Sequence, residues 1–239
     1  NKIWGYSAKQ TLSIMQRLYE NHKILTYPRT DSRYISTDIV GTIPERLRAI
    51  SIGEYRLAAT EILKNRINSN KSFVDNSKVS DHHAIIPTEQ KPNLSNLSSE
   101  ERHIYDLVVK RFLSVLMPPF EYILTNIKAD IKGEGFVAKG KVIKSKGWKS
   151  LYDRDFSEED SKEDDLKDQV LPKFSQGDLI NIIKVELNKG ETKPPARFNE
   201  GTLLSAMENP QKYVNVNKEA AKTLNETGGL GTVATRADI

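Results

Sequence analysis

Residues 24–36 read ILTYPRTDSRYIS. A short apolar run leads to Tyr27, and Pro28 then pushes that tyrosine away from helical geometry, because the proline ring crowds the backbone before it. Tyr27 is therefore expected at a strand-to-turn corner. A hydroxyl or a charge follows at nearly every position: Arg29, Thr30, Asp31, Ser32, Arg33 and Tyr34. A tyrosine hydroxyl, with an ordinary pKa of about 10, is a poor nucleophile at neutral pH unless nearby charge stabilises the phenolate. Against a phosphodiester it makes chemical sense, because a phosphotyrosine link conserves the bond energy and can be reversed without ATP. Such a site needs cations, and the planar fork of Arg29, two residues on, suits a phosphate under attack. Taken alone, the same residues also describe a plain packing corner.

Outward from this stretch the chain changes texture twice. Ser7 to Gln10 has the form of a capping box, and Ala8, Leu12, Met15 and Tyr19 recur at helical spacing, so a helix is predicted to about Glu20. Further helices are predicted from Pro44 to Ala49, within GEYRLAATEILKNRI, and after a second capping box at Ser98 to Glu101, where Pro118-Pro119 ends the run. From Phe120 the pattern turns to β, in YILTNIKADI, GFVAKGKVIKSKGW and GDLINIIKVELNKG. After Lys193-Pro194-Pro195 it is helical again, from Asn199 to Glu208 and from Asn217 to Glu226, stopped by Gly228-Gly229. The fold class read from this layout is α+β and multidomain.

No apolar run approaches the roughly 20 residues of a membrane helix, so no membrane partner is expected. The 239 residues include no cysteine, which excludes disulfides and thiolate metal sites and suits a reducing cytoplasm. The net charge of +4 hides an asymmetry. Residues 153–168 carry nine acids against three bases, leaving a net +10 on the rest of the chain. A surface this basic suits a polyanion partner, although an ordinary basic domain with one solvated acidic loop has the same composition.

The segment GYSAKQTLSIMQRLYENHKILTYPRTDSRYIS resembles the active-site segment of type IA DNA topoisomerases, and its YPRTDSRY form resembles the bacterial topoisomerase III branch most closely. Three more segments fit the family in the same order: SDHHAIIPT at 80–88, KPPARFNEGTLLSAMENP at 193–210 and GGLGTVATRADI at 228–239. The resemblance implies an isomerase in which Tyr27 attacks a single-stranded DNA phosphodiester and becomes linked to the 5′ phosphate, with Arg29 on that phosphate. It implies that His82, on the histidine of the family's H-x-A-I-x-P-T motif, helps to bind DNA in the active-site cleft, with His83 beside it. Read without the family, the His82-His83 pair could be structural or metal-binding, but adjacent histidines cannot share a helix face and no third ligand is near. Arg197, Thr235 and Arg236 resemble the family's single-strand groove, where backbone contacts give affinity without sequence information. On its own Arg197 reads as a helix-flanking charge. Val233 stands where the family usually has proline.

The resemblance also divides the chain. Residues 1–116 are expected to form the helical gate domain with the catalytic tyrosine, and 117–190 a β-rich arch or hinge segment with the acidic loop 153–168. Residues 191–239 are expected to start the helical single-strand-binding domain, all within a toroid that admits duplex DNA. In the family, Mg²⁺ is held by a TOPRIM domain through a glutamate and a D-x-D-type cluster, and no ATP is used. No such cluster is visible here, and the chain opens at Asn1 and stops within a motif. The expectation is therefore a monomeric fragment that is catalytically incomplete by itself. The whole protein would relax negative supercoils and decatenate in the bacterial nucleoid. The competing reading is a non-catalytic module for single-stranded nucleic acid, in which Tyr27 packs or stacks on a base.

Overall fold

The computed structural model describes residues 3–67, 69–152, 170–213, 219, 222–223, 228–232 and 235–236. The acidic loop 153–168, Val233 and most of the helix expected at 217–226 lie outside the described residues.

Helix α1 runs Ala8–Glu20, and the Ser7 hydroxyl oxygen caps it by accepting the Gln10 N–H at 3.0 Å. Its end is turned by Lys23, whose φ of +56° lies in the left-handed region, and Ile24 N–H closes back on the Leu18 carbonyl at 3.0 Å. That reversal aims the chain at Tyr27. Helices α2 (Thr37–Val40), α3 (Ile43–Ile50) and α4 (Arg56–Lys64) follow, and Pro44 sits in the first turn of α3, where its missing N–H costs nothing. Helix α5 (Ser99–Leu116) is opened by the capping box read from the sequence. Glu101 N–H donates to the Ser98 hydroxyl at 3.2 Å, while the Glu101 carboxylate accepts the Ser98 N–H at 3.0 Å.

The same carboxylate accepts from Arg17 Nε at 3.0 Å and faces His22 Nε2 at 3.4 Å, tying α5 to α1. Helix α1 packs on α5, α3 on α4, and α4 on α5, around Ile14, Leu18, Leu47, Ile50, Tyr105 and Leu113, all of them buried.

The chain divides into two compact units: Asn1–Leu116 together with Arg197–Ile239, and Met117–Ala196. In the first, α6 spans Glu200–Glu208 with Asn199 and Thr202 exchanging a reciprocal capping box. In the second, β1 (Glu121–Ile131) and β2 (Glu134–Ser145) form an antiparallel hairpin. Lys132 and Gly133, with φ of +56° and +87°, make the two-residue turn, and the Asp130 carboxylate accepts the Gly133 N–H at 3.0 Å.

The third β-prone run, residues 177–190, differs from the sequence expectation. It joins no ladder among the described residues, and Leu179 and Ile183 are fully exposed. Its alternation of apolar residues specifies a strand only where a neighbour supplies hydrogen bonds and a face to bury, and neither is present among the described residues.

Candidate active site

Tyr27 sits where the sequence placed it, at the end of a short extended segment. Leu25 pairs with Pro87 in an isolated antiparallel bridge, and the chain bends at Pro28. What fixes the corner is a set of hydrogen bonds to residues 58 to 65 positions away. Thr26 N–H donates to the Ile86 carbonyl at 3.0 Å. The Thr26 hydroxyl donates to the Ala84 carbonyl at 3.2 Å and accepts the Ile86 N–H at 2.9 Å. Thr88 closes the lower end, its N–H on the Ile24 carbonyl at 3.1 Å and its hydroxyl on the Lys23 carbonyl at 2.6 Å.

Beyond Tyr27 the lacing continues. The Thr30 hydroxyl donates to the His82 carbonyl at 2.9 Å, and Ala84 N–H donates to the Tyr34 carbonyl at 2.8 Å. Buried Ser32 places its hydroxyl on the Lys78 carbonyl at 2.8 Å while accepting the Tyr34 N–H at 3.0 Å. From below, buried Arg46 donates to the Pro87 carbonyl at 2.7 Å and pairs with Glu89 at 2.7 Å. The YPRTDSRY and SDHHAIIPT segments thus form one interlocked double loop.

The Tyr27 side chain is half-buried. Its ring lies 4.4 Å from the His82 ring, centroid to centroid, and meets Tyr19 edge-on at 5.5 Å. Among the described residues its hydroxyl has no hydrogen-bond partner, and the residue lines a cleft of about 390 Å³ together with Asp38, Asp81, His82 and His83. His82 is exposed. His83 is tied by Nδ1 to the Ala84 carbonyl at 2.7 Å. Arg29 is half-buried just past Pro28.

The other expected site residues lie near the end of the chain. Arg197 is exposed just before the Asn199 cap of α6. Thr232 and Thr235 form a small turn, Thr232 N–H donating to the Thr235 hydroxyl oxygen at 3.1 Å. Arg236 is nearly buried, with one-tenth of its side chain exposed. Its Nε donates to the Leu230 carbonyl at 2.8 Å and its Nη2 to the Gly231 carbonyl at 3.0 Å and the Gly228 carbonyl, with Glu208 3.6 Å away.

The loop that Arg236 binds folds over the end of α6, Leu230 N–H on the Met207 carbonyl at 2.7 Å. A Cβ on Gly229 would meet that carbonyl at 2.2 Å, so only glycine fits there. Arg33 reaches the same Glu208 at 3.9 Å, and a larger cavity of about 890 Å³ lies among Arg33, Phe73, Phe112, Glu208 and Arg236. Sequence reading gave Ser32 only a part in local hydrogen bonding, and gave no hint of Arg46 or Glu208 as organisers. The density of hydroxyl residues around Tyr27 was the one available signal for the first.

Among the described residues, no group of three or more His, Asp or Glu side chains is arranged to hold a metal ion. Nor is any helix among them long and apolar enough to cross a membrane.

A tyrosine with an unengaged hydroxyl thus stands on a double loop built from the first two of the four ordered motifs. A family model described as "DNA topoisomerase" matches residues 1–239, and the chain belongs to the type IA branch of that family. It is 60% identical over 240 residues to DNA topoisomerase 3 of Bacillus cereus and 55% identical to DNA topoisomerase 3 of Bacillus subtilis. Each comparison covers 100% of this chain and 33% of the relative, so the chain spans a third of the length of these curated relatives. The full-length topoisomerase I from Thermotoga maritima aligns structurally with a TM-score of 0.55 at 22% identity. That alignment covers 99% of this chain and 34% of that one, and it speaks for the α+β fold alone.

Proposed function

We propose that this chain is the tyrosine-bearing part of an ATP-independent type IA DNA topoisomerase that cuts one DNA strand through a transient 5′-phosphotyrosine link, passes a strand and reseals. One observation carries the reading. The Tyr27 hydroxyl has no hydrogen-bond partner among the described residues, and the residue lines a cleft on a loop fixed from both ends. A tyrosine retained for packing tends to pair its hydroxyl when half-buried, whereas a nucleophile must keep it available.

In the step assigned to Tyr27, its oxygen attacks phosphorus and the P–O3′ bond breaks as the P–O(Tyr) bond forms. The phenolic proton leaves, and the departing 3′ oxygen takes up a proton. Resealing is the reverse, with no net change in bonds and hence no need for ATP. Arg29 is assigned to the scissile phosphate as charge develops there. His82, His83, Arg197 and Thr235 are assigned to the DNA strand, mostly its backbone. Arg236 is assigned to shaping the 228–231 loop from which the strand is met, because its guanidinium is already engaged by that loop's carbonyls.

The Mg²⁺ that the family uses would stabilise charge at the reacting phosphate. The described residues of this chain do not fit it, and it is assigned to the remaining two thirds of the longer protein. Residues 1–116, 117–190 and 191–239 are assigned to the gate, the arch and the start of the single-strand groove of a monomeric, cytoplasmic enzyme acting at the nucleoid.

The test is Tyr27→Phe in the full-length protein, given Mg²⁺ and a labelled single strand and then denatured. We expect the protein-linked DNA to vanish while single-strand binding and the fold persist, because one hydroxyl is removed. Adduct persisting in the variant would move the nucleophile elsewhere.

A further inference from the structure

The cleft beside Tyr27 has a chemistry of its own. We propose that it receives the base of the nucleotide whose 5′ phosphate becomes joined to Tyr27, and that it favours a base bearing an exocyclic amine over thymine. This rests on Tyr27 being the nucleophile and goes further, by naming what the attached strand end touches.

Reach and size come first. A 5′-phosphotyrosine puts the attached sugar and base within one nucleotide of a side chain that itself lines the cleft. At about 390 Å³ the cleft lies near the lower end of the roughly 300–1,000 Å³ usual for ligand pockets, which suits one nucleoside rather than a stacked run. His82, whose ring packs 4.4 Å from that of Tyr27, gives the wall an aromatic surface of the kind bases stack on.

The polar groups then choose among bases. Asp38 and Asp81 both line the cleft and are acceptors only when ionised. A hydrogen bond from the Ser36 hydroxyl, aided by the Asp38 backbone and opposed by desolvation, holds the Asp38 carboxyl below its usual range. His83 Nδ1 lies 2.7 Å from the Ala84 carbonyl, a contact that requires the proton on Nδ1 and leaves Nε2 an acceptor in the neutral ring.

Part of the donor capacity beside these acceptors is used within the protein, which leaves a second Asn76 N–H and the His82 ring N–H against two carboxylates and His83 Nε2. The Asn76 amide nitrogen donates to the Thr37 hydroxyl at 3.1 Å, and the Ser80 hydroxyl donates to Asp31 at 3.2 Å. An acceptor-rich cleft pairs with an amine, as carboxylates do with cytosine N4. Cytosine, adenine and guanine each carry one. Thymine offers a carbonyl and a methyl group at the corresponding edge.

The experiment uses the full-length protein with Mg²⁺ and four oligonucleotides that differ only in the base immediately 3′ to the cut. With thymine there, adduct at equilibrium should fall about three- to tenfold below the other three, the scale of one hydrogen bond. Asp38→Asn keeps size but supplies a donor, so it should shrink the penalty against thymine, and Asp38→Ala with Asp81→Ala should level all four. Equal yields from the unaltered protein, or unchanged discrimination in Asp38→Asn, would overturn the proposal while leaving Tyr27 as nucleophile. No adduct with any oligonucleotide would remove both.

Discussion

Around Tyr27 the backbone is held by side chains that reach across some sixty residues, whereas in the hairpin it is held by a ladder whose partners are at most 24 residues apart. The tyrosine-bearing unit buries a shared core of helices, and Leu47, Ile50 and Leu113 in it are inaccessible to solvent. The hairpin leaves Ile123, Phe136 and Val137 exposed on a two-stranded ribbon, an arrangement marginal by itself in water. The difference teaches that the Tyr27 corner is placed by non-local bonds, which a locally paired ribbon cannot supply. The two tryptophans allow each region to be followed separately, Trp4 stacked on His103 in the first unit and Trp148 in the second.

The strongest way to break this comparison is a pair of truncations. Leu113→Ala should lower the stability of the first unit by about 2–5 kcal/mol, the usual cost of a cavity in a closed core. Val137→Ala, at 61% exposure, should change the second by no more than about 0.5 kcal/mol. Urea unfolding of Trp4→Phe and Trp148→Phe backgrounds would read them apart, and similar losses from both truncations would show that the hairpin has a core of its own.

A smaller effect sharpens the role of the lacing. Ser32→Ala strands the Lys78 carbonyl and the Tyr34 N–H, at a cost of about 1–3 kcal/mol seen through Trp4 and absent through Trp148. A neutral result would mean that Thr30 and Ala84 alone hold the loop.

The smallest effect concerns Glu101. Burial pushes its carboxyl up, but the Ser98 N–H and the Arg17 guanidinium outweigh that and hold it below the ordinary value of 4.5. A depressed folded-state pKa gives stability that is present above the unfolded value and lost as pH falls through the folded one. Glu101→Gln keeps the reach back to Ser98 but drops the charge. It should therefore cost ~1 kcal/mol or less at neutral pH and flatten the stability curve below about pH 4.5. An unchanged acid limb would place that pH dependence on other carboxylates.

Much of the fold was legible because its signals are local. The Ser98 and Glu101 box, the end of α1 at Glu20, the Asn199 start of α6 and both hairpin strands follow from spacing, caps and alternation within a few residues. Residues 177–190 show the limit, since alternation names a strand but cannot provide its partner. In the site, the corner at Tyr27 was readable from Pro28 alone. That Thr26 would bond Ala84 and Ile86, that Arg46 would end on the Pro87 carbonyl, or that Arg236 would turn inward onto its own loop was not, because each partner is fixed by tertiary packing.

The lacing also sets an order of events during synthesis. Ribosomes add roughly 5–20 residues per second, so about 3–12 seconds separate the emergence of Thr26 from that of Ile86, its partner. Through that interval the nascent chain carries Ile24 and Leu25 without the strand that covers them, and Tyr27 without a defined orientation. The corner at Tyr27 is thus fixed only once the chain has grown past Thr88, yet long before the Arg197–Ile239 part of the same unit has been made.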